Sequence, residues 1–83
     1  MAVGGGACGE YIPQAIAQGC DTFVTSDLRY NDFLDTRGIN LIDAGHFQTE
    51  YPVCARLEAL LRQNFPELTV LRSKNHHDEI HFL

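Results

Sequence analysis

The sequence predicts an α/β fold, a partial α/β layer in which helices pack on a largely parallel or mixed sheet. Three observations carry this. Short β-type runs alternate along the chain with segments of helical period. The helical segments stop at glycine or proline, as at Gly19, Gly38 and Pro66. Repeats, linkers and low-complexity tracts are missing, so one alternating layer accounts for the 83 residues as a single domain.

The elements follow in order. Ala2-Val3 is a strand stub leading into a tight turn, Gly4-Gly5-Gly6-Ala7-Cys8-Gly9. Residues 10 to 18 are helical, with Tyr11, Ile12, Ala15 and Ile16 on one face. Pro13 sits in the first turn, where its missing N–H does no harm. Thr22-Phe23-Val24-Thr25 is a strand ending in the polar pair Ser26-Asp27. A helix from Leu28 to Thr36 stops at Gly38, and Ile39-Asn40-Leu41-Ile42 is the next strand. The longest helix begins at Gln48 to Glu50, because Pro52 is tolerated only in a first turn, and Thr49 is its N-cap. Val53, Leu57, Leu60 and Leu61 form its core stripe, and Asn64 and Pro66 end it. Leu68 to Leu71 reads as a strand, residues 72 to 79 as a polar connection, and Ile80 to Leu83 as an edge strand.

Composition excludes several classes. The net charge is −5 and the six Lys and Arg residues are scattered, so there is no footprint for nucleic acid. No run approaches the length of a membrane span, and the N-terminus lacks the charged and apolar regions of a signal peptide. Cys8, Cys20 and Cys54 are odd in number and form no CxxC pair, which suits reduced cysteines in a cytoplasmic protein. The chain opens almost directly into its glycine turn, which suggests that the front of a longer protein is missing.

Two strand ends carry the chemistry. His46 and Glu50 lie four apart where a strand hands over to a helix, the carboxyl edge at which α/β sheets place ligands. Imidazole and carboxylate are ordinary ligands of divalent metals, but two of them do not complete a site. On spacing alone the structural reading outweighs this one: His46 bonded locally, Glu50 at a helix N-terminus. Asp27 leaves the same sheet edge if its strand is a neighbour. There it would orient His46 or a bound water, or else it or Ser26 caps the next helix. Gly5 and Gly6 would admit an anionic group to backbone N–H groups, or simply make the turn. Cys8, near a helix start, is the most reactive of the cysteines or packs. Adjacent His76 and His77 face opposite ways on an extended segment and do not readily share an ion.

With these motifs in place, the chain resembles the Nif-three-like family, often named GTP cyclohydrolase I type 2 homologue. The resemblance runs from the glycine stretch Val3 to Gly9 through Ala15 to Gly19 and Asp21 to Asp32. It continues over Leu41-Ile42-Asp43-Ala44-Gly45-His46-Phe47-Gln48-Thr49-Glu50, then Phe65 to Val70 and Ile80 to Leu83. It implies a dinuclear site for two divalent ions (zinc, iron, manganese or magnesium), with His46 and Glu50 as ligands. A His-His pair and an Asp would come from an N-terminal half absent here. It also implies a homo-oligomer, a hexameric ring, and a small anionic substrate. Ser26 stands where the family usually has Gly, a small change in a turn. Asn31 stands where it usually has His, and an amide does not titrate near neutral pH. Two functions follow: a metal-dependent hydrolase acting on a nucleotide or other phosphate-bearing or cyclic-amide substrate, with the chain alone inactive, or a non-catalytic oligomeric metal-binding module for protein interaction or regulation.

Overall fold

The computed structural model describes residues 1–83 and divides into two compact units, Met1–Glu50 and Tyr51–Leu83. The first is the α/β layer. Its strands are β1 (Ala2–Ala7), β2 (Thr22–Ser26) and β3 (Asn40–Asp43), and its helices are α1 (Ile12–Ala17), α2 (Tyr30–Asp35) and α3 (His46–Glu50). A single 3-10 turn over Gly9–Tyr11 leads into α1. The strands lie in the order β1-β2-β3 and all pairings are parallel, as helical crossovers require. Thr22 pairs with Asn40 and Thr25 with Asp43, so β2 and β3 end level with each other.

The glycine stretch is strand, not turn. β1 runs through Gly4, Gly5 and Gly6 to Ala7, with a bulge between Val3 and Ala7. Glycine fits because neighbours crowd it: a Cβ on Gly4 would lie 2.8 Å from Cys8 Cβ. Gly6 also takes a left-handed φ of 69°, which a bulge can demand.

Ile12, Ala15 and Phe23 form the core, with Ala2, Cys8, Cys20, Leu28, Ile39 and Leu41 packed around them. Pro13 lies in the first turn of α1. Gly19 ends that helix at φ 75°, its N–H donating to Ile16 O while Cys20 N–H donates to Ala15 O. α2 is shorter than expected and starts at Tyr30, after the Asp32 carboxylate has accepted the Arg29 N–H at 2.8 Å.

The expected long helix is two. α3 begins at His46 rather than Gln48, and Thr49 lies inside it instead of capping. Pro52 lacks an N–H and its ring would meet the Gln48 carbonyl, so the helix stops and α4 (Val53–Asn64) begins after it.

In the second unit α4 is the only regular element. The stripe of Val53, Leu57, Leu60 and Leu61 is not a core here: all four are substantially exposed, Leu57 at 51%. The strands expected at 68–71 and 80–83 do not form. A strand needs a neighbour for its backbone groups, and this unit offers none. The segment after α4 is held by charge instead. Glu58 accepts from Arg62 at 2.9 Å and from Arg72 Nε, and Arg62 donates to Val70 O at 3.0 Å. No helix is long and apolar enough to cross a membrane.

Candidate metal centre

The carboxyl ends of β2 and β3 bring the sequence-predicted residues together. Ala44 N–H donates to Thr25 O at 2.8 Å, carrying the ladder past the end of β3. Asp27 follows β2 in the left-handed region, φ 53°, which a short carboxylate side chain tolerates better than most. His46 opens α3 and Glu50 closes it, one turn apart on one face. His46 Nδ1 lies 2.6 Å from Asp27 Oδ2, and His46 Nε2 lies 3.1 Å from Glu50 Oε2. All three side chains are open to solvent, between 43% and 57% exposed.

An imidazole between two carboxylates is held toward its charged form. The bond from Nδ1 to Asp27 is the main cause of a raised His46 pKa. Partial desolvation opposes it, and the charges of Glu50 and Asp27 add to it. A neutral ring has one N–H and can donate to only one of the carboxylates.

The same geometry suits a metal ion in place of the outer proton. Asp27 accepts a hydrogen bond from Nδ1–H, which holds the proton on Nδ1 and leaves the Nε2 lone pair facing Glu50. Ligand atoms about 2.0–2.2 Å from one cation, on adjacent coordination positions, stand roughly 3 to 3.6 Å apart, depending on the coordination geometry. The Nε2–Oε2 separation of 3.1 Å lies at the short end of that spacing. The donor set stops at two, since no group of three His, Cys, Asp or Glu side chains converges in the chain. A zinc site takes at least three protein ligands.

β1 seats α3. A Cβ on Gly5 would lie 3.0 Å from Thr49 O, and one on Gly6 would lie 2.3 Å from Glu50 Oε1. Both glycines thus make room for the helix that carries the ligand pair. Gly6 N–H donates to Thr49 Oγ1 at 2.8 Å, so that N–H is engaged by the helix rather than offered to an anion. Thr49 Oγ1 in turn donates to Gly45 O at 2.8 Å. Thr25, fully buried, donates to Gly6 O at 2.8 Å and accepts the Cys8 N–H at 3.1 Å. Neither threonine stood out in the sequence as part of a site. Thr49, read as a cap, had a visible signal in its place three residues after His46, where a helical hydroxyl can bond backward.

The structural alternatives fare differently. Asp27 does not cap α2, and the Leu28 N–H goes to Asp43 Oδ2. Glu50 sits at the end of its helix, not the start. Ser26 is no minor turn change: it ends β2, fully buried, and its Oγ has no hydrogen-bond partner. An orphaned buried hydroxyl costs about 1–3 kcal/mol. Asn31 is exposed on α2. Cys8 is half-buried and donates weakly to Gly5 O. In the second unit, His77 faces Asn75 O and Glu79, and the His76 ring meets Tyr51 edge-on at 5.1 Å.

Comparison with known proteins agrees with the fold and with the motifs. A family model described as Duf34/NIF3 (NGG1p interacting factor 3) matches residues 1–79. The GTP cyclohydrolase 1 type 2 homolog of Nostoc sp. is 41% identical over 64 residues, 75% of this chain and 24% of that protein. The Staphylococcus aureus (strain COL) protein of the same name is 45% identical over 65 residues, 76% of this chain and 17% of that protein. The crystal structure of Staphylococcus aureus protein SA1388 superposes with a TM-score of 0.82 at 33% identity, covering 98% of this chain and 25% of that one. The chain thus spans a quarter or less of the length of these relatives. On the match over residues 1–79, the chain belongs to the Duf34/NIF3 family.

Proposed function

We propose that His46 and Glu50 are ligands in a dinuclear divalent-metal site, that Asp27 orients His46, and that the completed site is a metal-dependent hydrolase. The observation that carries this is the placement of one imidazole between two carboxylates, 2.6 Å and 3.1 Å away, at the open carboxyl edge of a parallel sheet. The remaining ligands come from residues beyond this chain, because two donors do not hold a catalytic ion. When bound, the ions supply Lewis acidity toward a phosphoryl or carbonyl oxygen and a nucleophile from water at neutral pH.

The chain's own residues do the rest. Asp27 keeps the proton on Nδ1 and leaves Nε2 as donor. Glu50 contributes negative charge beside it. Gly5, Gly6 and Thr49 hold α3 against β1, so the two ligands keep their separation. Metal uptake must displace the proton shared between Nε2 and Glu50, so affinity falls as pH falls. The name carried by the relatives points to a nucleotide or a similar phosphate-bearing, cyclic-amide substrate.

A second reading makes the metal structural or regulatory, in a homo-oligomer that serves protein interaction. Asn31 favours it, since an exposed amide on α2 supplies no proton transfer. Zinc and manganese uptake by the protein completed with the upstream segment of a relative, followed by elemental analysis and calorimetry, tests the ligand assignment. His46→Ala should abolish uptake and His77→Ala should leave it unchanged, whereas equal loss from both refutes it. Supplying the upstream segment of a relative and assaying phosphoester and cyclic-amide substrates separates the readings. Turnover supports the hydrolase, and metal without turnover supports the interaction module.

A further inference from the structure

We infer that Asp43 is a positioning residue that sets the Asp27–His46 hydrogen bond. Its two carboxylate oxygens are divided between the two functional turns. Oδ2 accepts the Leu28 N–H at 3.1 Å, and Oδ1 accepts the Gly45 N–H at 3.1 Å. Leu28 directly follows Asp27, and Gly45 directly precedes His46. One side chain therefore ties the loop that presents the acceptor to the turn that presents the ring.

The backbone on either side makes this tie consequential. Before Asp27, Ser26 is anchored by its pairing with Ala7. After it, Leu28 is held through Asp43, so Asp27 is fixed from both directions at its left-handed φ of 53°. On the other strand, Ala44 is held by Thr25 O, and Gly45 turns the chain at φ 88° into α3. That left-handed φ suits glycine and few other residues, which fixes the sense of the turn. Asp43 is itself the last residue of β3, paired with Thr25, and its carboxylate leaves from a rigid point. Each turn alone is short and exposed. Without a common anchor, the 2.6 Å contact would depend on two loops that wander independently.

The inference rests on the reading of His46 as the functional ring, and the test separates the two. Nitrogen-edited NMR of the metal-free chain at fixed pH follows the hydrogen-bonded Nδ1 proton of His46, and zinc titration of the protein completed with the upstream segment of a relative follows uptake. Asp43→Ala should erase the Nδ1 proton signal and weaken zinc binding about tenfold, the scale seen when a ligand's orienting partner is lost. Backbone amide shifts of Phe23 and Thr25 should stay in place, which a merely structural loss would not allow. If Asp43→Ala does not fold, Asp43→Asn replaces it. Its single carbonyl oxygen serves one N–H and its amide group repels the other, so the signal should weaken. A folded variant of either kind with an unchanged Nδ1 signal and unchanged zinc affinity overturns the inference. If the signal responds but the parent sequence completed with that upstream segment takes up no zinc, the positioning role stands and the metal reading falls.

Discussion

Met1–Glu50 and Tyr51–Leu83 are built from similar side chains, yet they hold together by different means. In the first unit, polar side chains connect residues far apart in sequence: Thr49 with Gly6, Thr25 with Gly6, Asp43 with Leu28, Asp27 with His46. Each bond joins a strand, a helix or the loop after β2 to a different element, so it fixes a relative position. In the second unit the ties run along α4 or to the segment that follows it, with ion pairs centred on Glu58, Arg62 and Arg72. Its apolar residues lie along α4 without burial. The difference teaches that an apolar stripe specifies only which face of a helix seeks cover. Placement comes from directional bonds across the sheet and from the close approach that glycine allows. Exposed ion pairs contribute little, about 0–1 kcal/mol each, so the second unit is the weaker of the two.

The largest expected effect contrasts one residue from each unit. Phe23→Ala removes a core ring that is 3% exposed, and should cost about 3–5 kcal/mol. Leu57→Ala removes a side chain already half in water, and should cost about 1 kcal/mol or less. Urea denaturation followed by far-ultraviolet circular dichroism gives both. Equal losses would mean that the α4 stripe is covered in solution and would break the contrast.

A smaller effect separates two glycines of the first unit. Gly6 and Gly19 both have left-handed φ, 69° and 75°. A Cβ at Gly19 meets nothing within 4 Å, whereas one at Gly6 collides with Glu50. Gly19→Ala should cost only the backbone penalty, about 1–2 kcal/mol. Gly6→Ala should cost more and should also reduce zinc uptake by the completed site, because the Glu50 carboxylate must swing away from β1. Thermal melting with parallel zinc titration checks this. Equal melting shifts with intact uptake would show that Glu50 yields without cost.

The smallest effect is a pH dependence confined to the first unit. The folded His46 pKa lies above its ordinary value of 6.5. Its contribution to stability is fully present below 6.5 and is lost as pH rises through the folded value. Asp27→Asn, which removes the main cause of the shift, should flatten that loss. Denaturation midpoints of parent and variant across the neutral range measure it. A parent–variant gap that widens with rising pH would have the wrong sign.

Much of the fold was legible before any coordinates. Alternating runs and their stops gave the α/β layer with a largely parallel or mixed sheet, and Pro13 and Gly19 bounded α1. At the site, the strand-end positions of Asp27 and His46 put them on one sheet edge on condition that their strands were neighbours, and the β2–β3 pairing meets that condition. The errors have one cause. Gly4 to Gly6 looked like a turn because glycine marks both turns and close approach, and only the neighbour at each position tells which. Thr49 looked like a cap because threonine serves caps and backward bonds equally well. Leu68 to Leu71 and Ile80 to Leu83 looked like strands because their side chains suit a sheet, but no strand stands ready to pair with them in their unit.

By itself, then, the order of residues determined the α/β class, most of the elements in the first unit and the three side chains worth watching. These depend on local period, on proline and glycine geometry and on residue chemistry, all of which act within a few positions. The tertiary structure decided that the glycine strand serves as a seat for α3, that Asp43 ties two turns, and that Ser26 buries a hydroxyl without a partner. Those outcomes depend on which backbone lies within about 3 Å of another, the reach of a hydrogen bond. That distance exists only after distant segments have packed.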